Sequence, residues 1–288
     1  MTRKRYANAK RKIRNCKMGN KEQIGIMKNF ALFAGLSFVV LQANGSTLDI
    51  GKIAQYKFNG QGIDSYGSNN LVLNSGVNFV TDRFGDTNKA IVFNSSTGQA
   101  SSLNSIGIYG NQSRSISMWV KADSLNSDLL GWGEINDPPS GEGFLIHMTP
   151  ENGHQISVWG SFADIHSPNL GVSFFNAWKQ LIYVYDGSVS NASIYVNGSL
   201  IGTSQAGAMI NTDFFNTANT ILRIGDRGDG RGLAGIGTAI DDISIYNRAL
   251  NTSEAQQLYQ IESVPEPSAL SLLAVGLGGL ALVRRRRS

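Results

Sequence analysis

Acid–base chemistry on a glycosidic bond needs two carboxylates about 5 to 5.5 Å apart on one face. The nearest approach in the sequence is Glu134, Asp137 and Glu142. Only residues two apart share a face of a strand, so Glu134 and Asp137 have the wrong parity, and Pro138 and Pro139 put them in a broken loop. Hydrolysis is therefore not expected. His147, His154 and His166 lack metal-ligand spacing and have no cysteine nucleophile to serve, because the single cysteine, Cys16, lies in a basic leader. Aromatic rings are the remaining chemistry. Trp132 and Trp159, with Tyr109 and Phe162, offer planes on which pyranose rings can stack. Trp132 and Trp159 are the candidate ligand-binding residues, with a core position the equal alternative for each. Trp119 and Trp178 sit in patterned strands and read as core. The glycine-rich segment 225–232 lacks the strand-then-helix context and the Lys-Ser/Thr of a phosphate-cradling loop, and Arg227-Gly228-Asp229 is a common tripeptide. It reads as a surface loop.

Short alternating segments must position these residues. Stretches 53–58, 90–93, 115–120, 143–148, 155–159, 179–185, 192–196 and 220–224 each have the period-2 pattern of a half-buried strand. Asp186-Gly187 and Asn197-Gly198 stand where tight hairpin turns need positive φ, so neighbouring strands are expected to fold back antiparallel. One helix is expected, over 251–261, where Asn251 can cap and Glu254 stands three residues on.

The formal net charge of +4 conceals a segregation. Ten basic residues lie between Arg3 and Lys28 and four more at Arg284, Arg285, Arg286 and Arg287. The segment between carries eleven basic against nineteen acidic residues, a net charge of −8. An acidic domain gains nothing from counterion release, so nucleic acid is not an expected partner. The segment has no cysteine, so its stability must come from an apolar core rather than from disulfides.

Both ends read as addresses. Lys28 precedes an apolar run, 30–41, and small residues Ala43 and Gly45 follow, which is the grammar of a secretion signal cleaved near 43–45. The basic stretch ahead of Met18 and Met27 is long for such a signal, which suggests translation beginning at one of those methionines. At the other end Pro265-Glu266-Pro267 leads into an apolar run, 269–283, and then Arg284 to Arg287. That run reaches about 24 Å as a helix, a marginal span whose arginines would stay cytoplasmic and leave the domain outside the inner membrane. These three parts resemble the PEP-CTERM sorting signal. The resemblance implies recognition by an exosortase, cleavage near Pro265-Glu266-Pro267, transient anchoring in the inner membrane through the C-terminal helix, and delivery to the cell surface or extracellular matrix. A permanent single-span anchor is the alternative. The expected organisation is a leader and signal peptide at 1–45, a domain at 46–262 and the sorting signal at 263–288.

Within the domain, segments 82–93, 115–120, 178–187, 194–198 and 240–250 resemble, in order, the laminin G-like branch of the concanavalin A-like lectin and glucanase superfamily. The resemblance implies an all-β, antiparallel two-sheet jelly-roll sandwich. It also implies a structural Ca²⁺, for which Asp241 is the first candidate ligand and Asp64 the second. Alternation sends Asp241 and Asp242 to opposite faces, so only one of them is expected to reach the ion. The alternative for the aspartates is that they hold turns and backbone amides. The functional expectation is a non-catalytic module binding glycan or exopolysaccharide. The rival readings are a structural or protein-adhesion surface module and, behind it, a glycan hydrolase.

Overall fold

The computed structural model describes residues 47–123, 126–134, 142–149, 155–160, 165–166, 174–205, 217–228 and 230–265. The secretion-signal segment, Glu266, Pro267, the apolar run 269–283 and the four terminal arginines lie outside the described residues. Among the described residues no helix is long and apolar enough to cross a membrane. The chain divides into two units, Met1–Ile50 and Gly51–Ser288. The described part of the first is a turn at 47–50.

The second unit is a two-sheet sandwich. Its strands are β1 Lys52–Tyr56, β2 Leu71–Leu73, β3 Val77–Val80, β4 Ala90–Phe93, β5 Ala100–Ser105, β6 Arg114–Lys121, β7 Ser127–Glu134, β8 Glu142–Thr149, β9 Gln155–Gly160, β10 Ile165–His166, β11 Lys179–Asp186, β12 Asn191–Val196, β13 Ser199–Gln205, β14 Ile221–Ile224 and β15 Ala239–Tyr246. The helix α1, Thr252–Glu262, follows. The first sheet runs β13-β12-β11-β6-β15-β4-β3 with β1 also on β15, and the second runs β10-β9-β8-β7-β14-β5-β2. Among the described residues every strand pairing is antiparallel, as expected of a jelly roll.

Alternate residues of both sheets meet in one core: Ile116, Met118 and Val120 from β6, Leu181, Tyr183 and Tyr185 from β11, Phe144, Ile146 and Met148 from β8, and Leu222 and Ile224 from β14. The outer face of the first sheet is covered by α1. Trp119, expected in the core, points outward there and stacks on Tyr259 of α1 with ring centroids 6.0 Å apart. This cover explains why β6 and β11 are buried on both faces. Trp178 is half-buried, with Lys121 Nζ 5.4 Å above its ring.

The helix begins with the expected reciprocal cap. Asn251 Oδ1 accepts from Glu254 N–H, and Glu254 Oε2 accepts from Asn251 N–H, both at 2.9 Å. The Asn197-Gly198 turn has the required positive φ at both residues, 50° and 72°. The Asp186-Gly187 expectation is corrected: β11 and β12 join through a four-residue connection whose left-handed residue is Ser190. Asp186 Oδ1 instead accepts from Ser188 N–H, a side-chain turn that does not require a left-handed Gly187.

Candidate functional site

The outer face of the second sheet carries no helix among the described residues. A bulge in β7 between Asp128 and Leu130 leaves Asp128 opposite His147. The two side chains are buried, with His147 Nδ1 2.6 Å from Asp128 Oδ1. Asp128 Oδ2 accepts from Leu233 N–H at 2.7 Å, and Ser127 Oγ accepts from Gly235 N–H at 2.9 Å. The loop segments 225–228 and 230–238 are thereby pinned across the sheet, the backbone so close to β7 that a Cβ on Gly228 would stand 2.3 Å from Gly133 O. Asp226 gives the loop its shape. It accepts from Arg227 and Gly232 N–H and from Gln99 Nε2, while burial pushes its carboxyl above the ordinary range against those donors. Leu233 and Ile236 stand exposed on its outer side.

Trp132 is the clearest correction among the candidate residues. Its ring is wholly buried in the core, tilted against Phe144 at 4.3 Å between centroids, and its Nε1–H donates to Ile108 O at 2.9 Å. A ring with no exposed face cannot stack on a sugar. Beside it lies Arg114, also buried, donating to Gln112 O, Thr217 Oγ1 and Gly110 O with its guanidinium over Trp132, Phe144 and Tyr185. Burial lowers its pKa to about 10, leaving it cationic at neutral pH. Trp159 lies on β9, opposite Leu145 of β8. The carboxylate reading is also corrected in part, because Glu134 ends β7 and pairs directly with Glu142 at the start of β8. Glu134 is solvent-exposed, whereas a glycosidase acid needs a desolvated carboxyl.

The two candidate calcium ligands serve other donors. Asp64 Oδ1 accepts from the N–H groups of Gln55, Tyr66 and Gly67, and Oδ2 from Asn69 N–H, at 2.8 to 3.1 Å. These bonds fold the loop after β1. Asp241 Oδ2 meets Arg83 Nη1 at 2.8 Å, and Asp242 Oδ2 meets Arg83 Nη2 at 2.7 Å. Strand alternation does not separate the two aspartates, because β15 bulges: Asp241 pairs with Trp119 and Ser244 with Ser117, and Asp242 takes φ 44°. Both carboxylates thus turn to one guanidinium, which occupies the position a cation would take. Among the described residues no group of three or more His, Cys, Asp and Glu is disposed to hold a metal. Asp64 and Asp241 therefore do not fit the expected calcium site.

The Arg83 cluster was not visible in the sequence. Arg83 also donates from Nε and Nη2 to Glu262 O at 3.2 and 2.8 Å, and its guanidinium lies 4.4 Å from the ring centres of Phe84 and Trp119. The Glu262 side chain turns into the sheet, where Oε2 accepts from Trp119 Nε1 at 3.0 Å and Gln180 Nε2 at 2.8 Å. Burial, followed by the nearby Asp242 charge, raises its pKa to about 7. Burial and Asp242 push Asp241 upward as well, opposed by Arg83.

Comparison with known proteins places this geometry. The concanavalin A-like lectin/glucanases superfamily matches residues 94–256, and the PEP-CTERM protein-sorting motif matches 263–287. No curated protein matches the chain. Among solved structures, domain 4 of AbnA, a GH43 extracellular arabinanase from Geobacillus stearothermophilus, in complex with arabinotriose, is similar at 22% identity and TM-score 0.54, over 73% of this chain and 98% of that one. The binding domain of Paraclostridial Mosquitocidal Protein 1 is similar at 18% identity and TM-score 0.55, over 75% and 53%. The ligand binding domain of Botulinum neurotoxin serotype D, in complex with N-acetylneuraminic acid, is similar at 15% identity and TM-score 0.56, over 75% and 52%. The chain thus spans about half the length of the toxin domains it matches. At these identities the likeness shows the fold alone. The sandwich, the family match over more than half of the sequence and the sorting motif together establish that this chain belongs to the concanavalin A-like lectin/glucanases superfamily and carries a PEP-CTERM protein-sorting motif.

Proposed function

We propose that the sandwich is a non-catalytic glycan-binding module of an exported protein, sorted by an exosortase at Pro265-Glu266-Pro267 and delivered to the cell surface or an exopolysaccharide matrix. The observation that carries this reading is the overlay on nearly the whole of an arabinanase domain that holds arabinotriose. Within this chain, α1 packs on β6, β11 and β12 of the first sheet and the loop after β14 covers β7 of the second, so a ligand is proposed to meet the second sheet beside that loop, at β8 and β9. Trp159 on β9 is the proposed stacking residue, and the pinned loop with Leu233 and Ile236 forms a preorganised flank. Preorganisation reduces the ordering cost of binding.

A glycan array probed with the purified chain tests the reading. Saturable binding to a polysaccharide, weakened at least about tenfold by Trp159→Ala at unchanged thermal stability, supports it, since stacking contributes roughly 0.5–1.5 kcal/mol beyond buried area. Saturable binding to a protein, undisturbed by saccharide competitors, would replace it with the adhesion reading that the toxin receptor-binding folds also favour. Release of reducing ends from a polysaccharide would make the protein an enzyme.

A further inference from the structure

The sorting motif begins at residue 263, immediately after the last residue of α1, so no spacer separates it from the folded domain. That last residue, Glu262, is held twice. Its carbonyl takes two N–H groups of Arg83, and its carboxylate takes Trp119 and Gln180. Ser263 N–H still donates to Tyr259 O, and its φ and ψ of −78° and −6° are those of a helical turn. Two residues further, Pro265 forms part of the wall of a small open cleft of about 70 Å³, together with Lys57, Asn59, Asp82, Phe84 and Lys89. The first proline of the motif thus borders the domain, itself still exposed to solvent.

An enzyme that cuts and transfers a peptide bond reads several residues on each side of that bond in extended form, as an added strand is read. Here the residues just upstream of the motif are helical and clamped. We infer that the domain withholds its own sorting motif: the Arg83–Glu262 latch keeps Glu262 and Ser263, at the entry to the motif, folded onto the sandwich, and processing proceeds through their local release. Arg83 acts through Glu262 and touches no reacting bond, so it is a positioning residue for the sorting step. This inference rests on the proposal that an exosortase processes this motif.

The test follows the whole chain in exosortase-containing cells, with the processed fraction read by intact mass over time. The variants are Arg83→Gln, Arg83→Lys and a ten-residue Gly-Ser insertion between Val264 and Pro265, which frees the motif without touching the latch. Arg83→Gln and the insertion are expected to be processed about tenfold faster than wild type, the scale of one charge-assisted hydrogen bond. Arg83→Lys is expected to lie between. In parallel, a nonspecific protease should cut the purified Arg83→Gln chain at 262–266 about tenfold faster, with cuts elsewhere unchanged. Equal or slower processing of the insertion variant would overturn the inference, because that variant leaves the sandwich intact. Absence of processing in every chain, wild type included, would instead overturn the exosortase reading, whatever the protease shows.

Discussion

Replacing Glu262 by Gln isolates the electrostatics of the latch. In the folded protein its carboxyl titrates near 7 against an ordinary 4.5. The native state therefore holds a proton between those values that the unfolded chain releases. Stability from this group is fully present below about 4.5, falls as pH rises through the window, and is lost above about 7. A shift of roughly 2.5 units corresponds to a ceiling of about 3.4 kcal/mol. Glu262 is half-buried as a residue, so solvent screening reduces this to about 1–2 kcal/mol. Urea unfolding at pH 5 and pH 8 measures it. The wild type should lose about 1–2 kcal/mol over that interval, and Glu262→Gln, which cannot ionise, should lose correspondingly less and be the more stable chain at pH 8. A variant that declines as steeply as the wild type, or a wild type with no decline, would refute a buried, proton-holding Glu262.

Trp132→Ala should destabilise the fold by about 3–5 kcal/mol in chemical denaturation, through the cavity left against Phe144 and Arg114; retained stability with lost saccharide binding would restore Trp132 as a ligand residue. Asp64→Ala should cost about 2–3 kcal/mol, since four backbone amides lose their acceptor, although water recovers part of the loss. A chelator should leave the melting temperature unchanged, because Arg83 and backbone amides already satisfy Asp241 and Asp64; a drop reversed by Ca²⁺ would return those aspartates to a metal site. Asn251→Ala should cost about 1 kcal/mol by removing half of the helix cap, measurable by thermal unfolding.

The sequence was informative where local pattern and structure obey one rule. Alternation located β4, β6, β8, β9, β11, β12 and β14 within a residue or two, the cap at Asn251 marked α1, and Asn197-Gly198 marked its turn. Elsewhere local reading failed for identifiable reasons. β7 shows no alternation because a bulge at Asp128 shifts its register, and a cover on one face with the core on the other buries most of the strand. The same device hid the Asp241–Asp242 pair: counting by two assumes an unbroken ladder, and the bulge adds a residue. Arg83 could not be assigned at all, since its partners lie 158, 159 and 179 residues away. Whether a tryptophan sits inside or outside is likewise a long-range outcome. Both Trp119 and Trp132 lie within strands, yet one is covered by a helix more than 130 residues distant and the other by Arg114 of the opposing sheet.

The path of α1 has a mechanical consequence. The helix folds back over the first sheet, so that the chain leaves the domain beside Trp119 and Asp241, near the start of β15 rather than at its end. Tension on a tethered C-terminus would first meet the Arg83 contacts, then peel the helix from its last turn backward, one contact after another. Paying out residues 247–265 gives a tether of up to about 65 Å at roughly 3.5 Å per residue, before any strand of the sandwich is pulled. Only then does force reach β15, which is paired to β6 on one side and to β1 and β4 on the other and must shear along its length. A pull on the tethered C-terminus would therefore be absorbed by the helix, with both sheets still folded.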